Sequence, residues 1–474
     1  MVSGDLLMIV KSISSKWFEE TGNRLDCNPY MSGAFEARHT LNQRLCECVP
    51  LRELTSGYSG GIYNGPVFKR NFVKSKDSGV PFLTSAIMLR FDLRNIPLLS
   101  KKDALSRKLS YLELHSGMIM ISCSGAIGNM VYVRADMEGY WSCQDQLKLS
   151  IDENLIGSGY VYAFLNSKFG MPLITGGTYG AIIQHLEPEH IHDIPVPKLP
   201  KSIEHEIDGL VKRASELKTE FIELINTSSL KCEELIGWSS IDPVSTETSS
   251  VVSSKLLKES KRMDVLYFNP VAQKVKSLVQ AKDWKYLDEV SDVVKPGMFK
   301  RIMSKQEDGG IPFHTGSELF LMDAKPKYFV SAKTSNIGDC ILDSHWVLIQ
   351  GFGQRGGLIA RVLLTTDSIK GAAATDLQIQ LRLENEYDAA FIFAYLNSQP
   401  GYHSLIRLPI GGSIPNLNPK DVSKVEIPWP DNAVRKEIGG LAAKAWKLRD
   451  EAERLEKLAI SKIEASITSM VSGH

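Results

Sequence analysis

Seven cysteines in 474 residues, at 27, 46, 48, 123, 143, 232 and 340, are odd in number and scattered. They frame no disulfide scaffold, and Cys46 and Cys48 stand too close together for a zinc knuckle. That usage points to a reducing cytoplasm. Long apolar runs are missing too. None approaches the roughly 20 residues that cross a bilayer, and the short apolar stretch at 6–10 has neither a basic lead nor a cleavage site, which excludes a secretory signal from the reading. No membrane partner is expected. Net charge is zero, with 55 Lys and Arg against 55 Asp and Glu, so overall charge gives no support to a polyanionic partner. The chain also lacks a Walker lysine loop, a convincing pair of methyltransferase motifs and an Asp…Glu-x-Lys nuclease constellation.

What the chain does have is a second copy of itself. Phe164-Leu165-Asn166-Ser167 returns as Tyr395-Leu396-Asn397-Ser398, Phe68-Lys69-Arg70 as Phe299-Lys300-Arg301, and Val80-Pro81-Phe82 as Ile311-Pro312-Phe313. Each offset is 231 residues, about half the chain, which makes this a duplicated domain rather than a solenoid repeat. Each copy opens on Arg-x-Asp followed by Asn-Pro (Arg24, Asp26, Asn28, Pro29; Arg262, Asp264, Asn269, Pro270). About 150 residues of β-branched and aromatic sequence with Gly and Pro turns follow, read as strand and loop. Residues 118–122 and 346–350 read as buried strands, each followed by a glycine turn and a second apolar strand at 130–133 and 358–364. A helix carries Tyr162 to Leu165 or Phe393 to Leu396. A Gly-Gly-Thr or Gly-Gly-Ser loop (176–178; 411–413) then leads to Ile-Pro-x-Pro at 194–197 and 427–430.

Beyond each closing proline the period changes. Ile203, Ile207, Leu210, Ala214, Leu217, Phe221 and Leu224 alternate at spacings of four and three, and Val434, Ile438, Leu441, Ala445, Leu448, Ala452 and Leu455 repeat the pattern. Strict a/d alternation predicts a narrow coiled-coil seam, with the two helices as each other's simplest partner; separate docking of each helix on its own domain is the alternative. The expected fold class is α+β, two tandem strand-rich domains separated by two long helices pairing as an antiparallel coiled coil. The expected boundaries are 1–44, 45–200, 201–238 (first helix), 239–282 (Ser/Thr/Val-rich linker and Arg-x-Asp segment), 283–430 and 431–470 (second helix).

This arrangement resembles the specificity subunit of type I restriction–modification systems. The resemblance covers most of the chain and is sharpest from Gly176-Gly177-Thr178 to Pro195-Val196-Pro197 and from Gly411-Gly412-Ser413 to Pro428-Trp429-Pro430. It implies two target-recognition domains, each reading half of a bipartite DNA site, with the helices setting the gap and docking methyltransferase subunits. It implies double-stranded DNA and two methyltransferase subunits as partners, with or without a restriction/translocase subunit. No cofactor is expected in this chain; S-adenosylmethionine, and ATP and magnesium, would enter through the partners. The chain departs from the family at the start of the helices, where Glu204-His205 and Arg435-Lys436 replace the usual Glu-Gln.

The candidate DNA-binding residues follow from chemistry. Between 52 and 108 stand eleven basic residues against four acidic ones, a local excess able to face phosphates. Lys69, Arg70 and Lys74 in the first copy and Lys300, Arg301 and Lys305 in the second are the recurring cations. Thr178, Tyr179 and Ser413 sit in glycine loops whose amides and hydroxyls suit phosphate oxygens. Gln354 and Arg355 match the donor patterns that read adenine and guanine in the major groove. The surrounding Gly351-x-Gly353-x-x-Gly356 spells a dinucleotide fingerprint, but a strand is expected after it where that fingerprint needs a helix. Asn28-Pro29-Tyr30 lacks the second proline of an amino-methyltransferase loop. His185, His190 and His192 could suggest a metal, but the second copy has no histidine in the corresponding stretch. Two other function classes stay open: a self-sufficient DNA-modifying enzyme, and a protein adaptor built on the helices.

Overall fold

The computed structural model describes residues 10–20, 27–42, 47–94, 96–176, 185–238 and 252–472. Each copy is built from the same three β assemblies. In the first, Cys48–Pro50 pairs with Pro195–Pro197, so that the Ile-Pro-x-Pro motif is the closing strand of a ribbon. A four-stranded sheet runs in the order Ile62–Tyr63, Gln146–Leu149, Ile119–Ser122, Met130–Tyr132. A second sheet runs Phe72–Val73, Leu98–Ser100, Gly79–Leu83, Trp141–Ser142, its last pair parallel. The second copy repeats this strand for strand. Trp284–Tyr286 pairs with Glu426–Pro428, and the sheets are Asp292–Val294, Gln378–Arg382, Val347–Gln350, Val362–Leu364 and Met303–Ser304, Tyr328–Val330, Ile311–His314, Ala373–Ala374. The α+β class is therefore seen twice.

Alternation decides which face of the first sheet is apolar. Ile119, Ile121, Leu147 and Leu149 lie on one face and join the core under the helix Ser158–Leu165. Met120 and Lys148, direct partners in the ladder, lie on the other. The repeated Asn-Ser motif marks the corner after that helix. Ser167 Oγ donates to Phe164 O at 2.6 Å and accepts from Gly170 N at 3.2 Å. Ser398 repeats both bonds, to Tyr395 O at 2.5 Å and from Gly401 N at 3.3 Å. A Cβ on Gly170 or Gly401 would fall 2.2 or 2.0 Å from the carbonyl oxygen of Phe164 or Tyr395, so only glycine permits this approach.

The long helices are Lys201–Ile236 and Asn432–Ser472. The chain divides into two units, 1–219 with 451–474 and 220–450, and each unit holds part of both helices. In the first unit Lys218 pairs with Glu456 at 2.8 Å and Lys462 with Glu206 at 2.9 Å. In the second, Lys231 pairs with Glu437 at 2.8 Å and Lys444 with Glu220 at 2.7 Å. Within each unit the partners run in opposite directions, as an antiparallel pair requires.

The strict a/d seam is corrected. Ile203, Leu210, Leu224, Val434, Leu441 and Leu448 are only half-buried, while Val211, Lys218, Ile225, Ser228, Cys232, Ala442, Trp446, Arg449, Ala459, Ile463 and Ile467 are buried. The stripe is wider because each half-helix packs on its partner and on its own globular domain together. Ile207, Val211, Ala459, Ile463 and Ile467 share one core with Tyr160 and Phe164. In the second unit Trp446, 1% exposed, meets Phe221 and Phe393 edge-on at 5.4 and 5.5 Å. Arg449 is buried beside it and donates to Met322 O and Leu321 O at 2.8 and 3.1 Å, which gives its buried guanidinium hydrogen-bond partners.

The helix starts are fastened through side chains at the equivalent positions 204 and 435. Glu204 accepts from the Leu199 amide at 3.1 Å, and Arg435, at the equivalent position, donates to Pro430 O at 2.6 Å and Asp388 at 2.8 Å. Opposite charges fasten the same joint.

Candidate nucleic-acid interface

The two Phe-Lys-Arg triplets form the same clamp. Phe68 meets the Phe82 ring edge-on at 6.1 Å, and the Arg70 guanidinium lies over that ring at 5.5 Å. Phe299 meets Phe313 at 6.2 Å, and Arg301 lies over it at 4.7 Å. Such stacking satisfies the arginine against a π face. Arg70 also donates to Gln144 Oε1 at 3.0 Å and lies 3.7 Å from Asp145. Because Phe68 and Arg70 converge on one ring, the residue between them is turned away. Lys69 and Lys300 are exposed, and among the described residues neither has an ion pair. Lys74 is exposed likewise, whereas Lys305 pairs with Glu307 at 3.2 Å on the surface, a weak and screened contact.

Lys76, Lys101, Lys102, Arg107 and Lys108 are also exposed in the first unit, so much of the local basic excess reaches solvent. Arg52 and Arg94 do not share that role, since they pair with Asp193 and Asp92.

Gln354, Arg355 and Ser413 are brought together, though their polar ends hold each other's loops. Gln354 Nε2 donates to Ser413 O at 2.6 Å and Arg355 donates to Pro409 O at 3.1 Å. Phe352 and Ile410 both bridge Asn416. The first copy has the matching bridge, Ser124 to His185. Thr178 and Tyr179 lie outside the described residues.

The expected strand at 358–364 is corrected. Residues 358–360 complete the turn, Ala360 takes a positive φ of 65°, and the strand starts at Val362. Val347–Gln350 pairs antiparallel with it, so the glycine fingerprint is a hairpin loop with no helix amides to meet a phosphate. Asn269 caps the helix Pro270–Gln280 through bonds from Val271 N and Ala272 N. Arg24 and Asp26 lie outside the described residues, as does most of the 239–255 linker. In the second copy Arg262 binds Asp264 at 2.8 Å and Leu408 O at 2.8 Å, an internal tie. His190 Nδ1 accepts from the Glu187 amide at 2.8 Å within a helix cap, and among the described residues no three His, Cys, Asp or Glu side chains gather to hold a metal.

Two further features gave no sequence signal. Lys148 is fully buried and donates to Cys143 O and Gln146 O, each at 3.0 Å. Burial pulls its pKa down to about 8, and the same burial pushes the Cys123 thiol up to about 12. The second feature is an open cleft of about 600 Å³ lined by Asp288, Glu289, Asp292, Glu384 and Asp388 beside Arg382. Its acidic lining repels phosphate. Asp288 is held below the usual carboxylate range by its bond from Lys424.

No family model and no curated protein matches the sequence. Among solved structures the chain is similar to the S subunit of a type I restriction-modification system from M. genitalium, with 13% identity over 91% of this chain and 96% of that one and a TM-score of 0.34. It is similar to the HsdS subunit from Thermoanaerobacter tengcongensis, with 13% identity over 91% of this chain and 97% of that one and a TM-score of 0.25. A structure describing assembly and conformational transition of the type I R-M system aligns with 90% of this chain and 96% of its own, at 13% identity and a TM-score of 0.26. Over most of its length the chain is similar to S subunits of type I restriction–modification systems.

Proposed function

We propose that this chain is the DNA-specificity subunit of a type I restriction–modification complex that methylates adenine. Each globular unit reads one half of a bipartite duplex site, and the two long helices set the unspecified gap and dock two methyltransferase subunits. The observation that carries the reading is the duplication in detail. Three β assemblies recur in the same order, and in both copies a Phe/Arg clamp turns one lysine outward. A chain that presents one surface twice suits a ligand that offers two related sites, and outward lysines suit phosphates.

In this reading the chain carries out no reaction. S-adenosylmethionine belongs to the methyltransferase subunits, and ATP and magnesium to a restriction/translocase subunit, all in the cytoplasm.

Single-molecule methylation sequencing tests it, on genomic DNA from cells carrying the gene with its native neighbours and from cells lacking this gene alone. A split motif of modified adenines that vanishes in the deletion supports the reading and yields both half-sites and the gap. An unchanged methylome, with the partner methyltransferase expressed, overturns it.

A further inference from the structure

We propose that Val67 and Met298 each read a base, placing an apolar side chain against the 5-methyl group of a thymine in the major groove. The inference rests on the DNA-specificity reading and deepens it by naming specificity residues.

Large apolar side chains are seldom left almost wholly in water at one and the same position of two diverged copies. Val67 is 82% exposed and Met298 is 88% exposed, and they are equivalent at the 231-residue offset. Five residues on, Phe72 and Met303 are again equivalent and exposed, at 50% and 56%. A single exposed apolar residue needs no explanation, but a repeated register does. The register has a physical cause. Phe68 and Arg70 both lie on the Phe82 ring, and Phe299 and Arg301 both lie on Phe313. Position 67 is exposed together with Lys69, and position 298 together with Lys300, on either side of the phenylalanine that packs inward.

An apolar group next to an unpaired cation matches the chemistry of a groove edge. Ammonium groups meet phosphates, and aliphatic groups meet the thymine methyl, the one apolar mark that a base pair displays in the major groove. The exposed Lys74, Lys76, Lys101 and Lys102 of the first unit add to the field that draws a polyanion to that patch. A protein docking on the same patch is the competing occupant.

The test uses the full chain together with the methyltransferase subunits that co-purify with it. Selection from a random duplex pool defines the two half-sites, and each thymine is then replaced in turn by uracil, which removes only the methyl group. In the native protein, one thymine of each half-site should lose about fourfold in affinity, the factor that burial of one methyl-sized group confers. Val67→Ser should weaken binding by a similar factor on the thymine duplex and show no further loss on the uracil duplex. Met298→Ser should do the same at the other half-site. Both side chains are exposed, so neither substitution perturbs the fold, and the salt dependence should stay as in the native protein.

Undiminished uracil sensitivity in Val67→Ser, or a half-site with no sensitive thymine, overturns the inference and leaves the specificity reading intact. Binding weakened equally on thymine and uracil duplexes points to a protein contact and also overturns it. A pool that enriches no motif overturns the specificity reading, and the inference with it.

Discussion

The backbone amide of Lys168 donates to Glu464 Oε1 at 2.6 Å. In the second unit the amide of Gln399 donates to Glu233 Oε1 at 2.9 Å. Both pairs are related by the 231-residue offset, with the order along the chain reversed. The helix corner of the first copy is thus held by the helix that closes the second, and the corner of the second by the helix that closes the first. A carboxylate accepting from an amide just past a helix end is a charge-assisted bond. Glu233→Ala should cost about 2 kcal/mol and Glu464→Ala, in a more exposed setting, about 1 kcal/mol. Hydrogen exchange over Glu386–Asn397 and Ser158–Leu165 measures each loss; unchanged protection at both corners would show that the bonds are not structural.

Trp446 is the largest fully buried side chain, between Phe221 and Phe393. Trp446→Ala should destabilise the second unit by about 3–5 kcal/mol through weakened packing and the cavity left behind. Denaturant unfolding, followed by tryptophan-independent probes such as exchange over Val347–Gln350, reads the effect.

Lys69→Ala and Lys300→Ala should each weaken DNA binding on all sequences and reduce the salt slope by about 0.9 for each phosphate no longer neutralised. Arg70→Ala and Arg301→Ala should behave differently, because those guanidinium groups lie on Phe82 and Phe313. They should loosen the segment before they change the slope. Titration of binding against salt separates the two outcomes, and equal slopes for all four variants would reject the assignment.

Lys148 supplies a pH signature. Its folded pKa of about 8 lies below the ordinary lysine value of 10.5 because burial disfavours the charged form. Between those values the unfolded chain binds the extra proton, so stability rises with pH through that window and is flat below it. Lys148→Gln installs the residue type that the second copy carries in the matching ladder position, Gln380. The variant should lose the rise between pH 8 and 10.5, read as the difference in urea midpoint from the native protein. A difference independent of pH would mean that folding leaves the lysine pKa at its ordinary value.

Deleting seven residues from each long helix removes about two turns from each. The tolerated gap between half-sites should change while both half-site sequences stay the same. The methylome of cells carrying the shortened gene reports the gap, and an unchanged spacing rejects its control by the helices.

The duplication was legible because it lies in short contiguous runs: Phe-Lys-Arg, Pro-Phe and Leu-Asn-Ser recur at one offset, and Ile-Pro-x-Pro recurs two residues beyond it. Strand positions were legible as well, because 118–122 and 346–350 are apolar runs bounded by turns. The strand expected from Leu358 was not, since hydrophobicity does not distinguish a buried turn residue such as Ile359 or Ala360 from a strand residue. The cations divided in a way that no sequence spacing announces. Arg70 and Lys69 are adjacent in the chain, but one lies on an aromatic ring and the other faces water.

From sequence alone came two similar domains, their strand-rich character and a long amphipathic helix after each, because local period and internal repetition are properties of the chain itself. Tertiary structure decided which face of each helix is buried. A half-helix that touches both a partner helix and a globular domain needs a wider apolar stripe than a pair does, so Val211, Ile225, Ala442 and Trp446 went inside where a narrow seam would have placed Leu210, Leu224, Leu441 and Leu448. It also decided which polar groups reach solvent. A group far along the chain can occupy a donor that composition counts as available, as the Ser413 carbonyl does for Gln354 and the Leu408 carbonyl for Arg262.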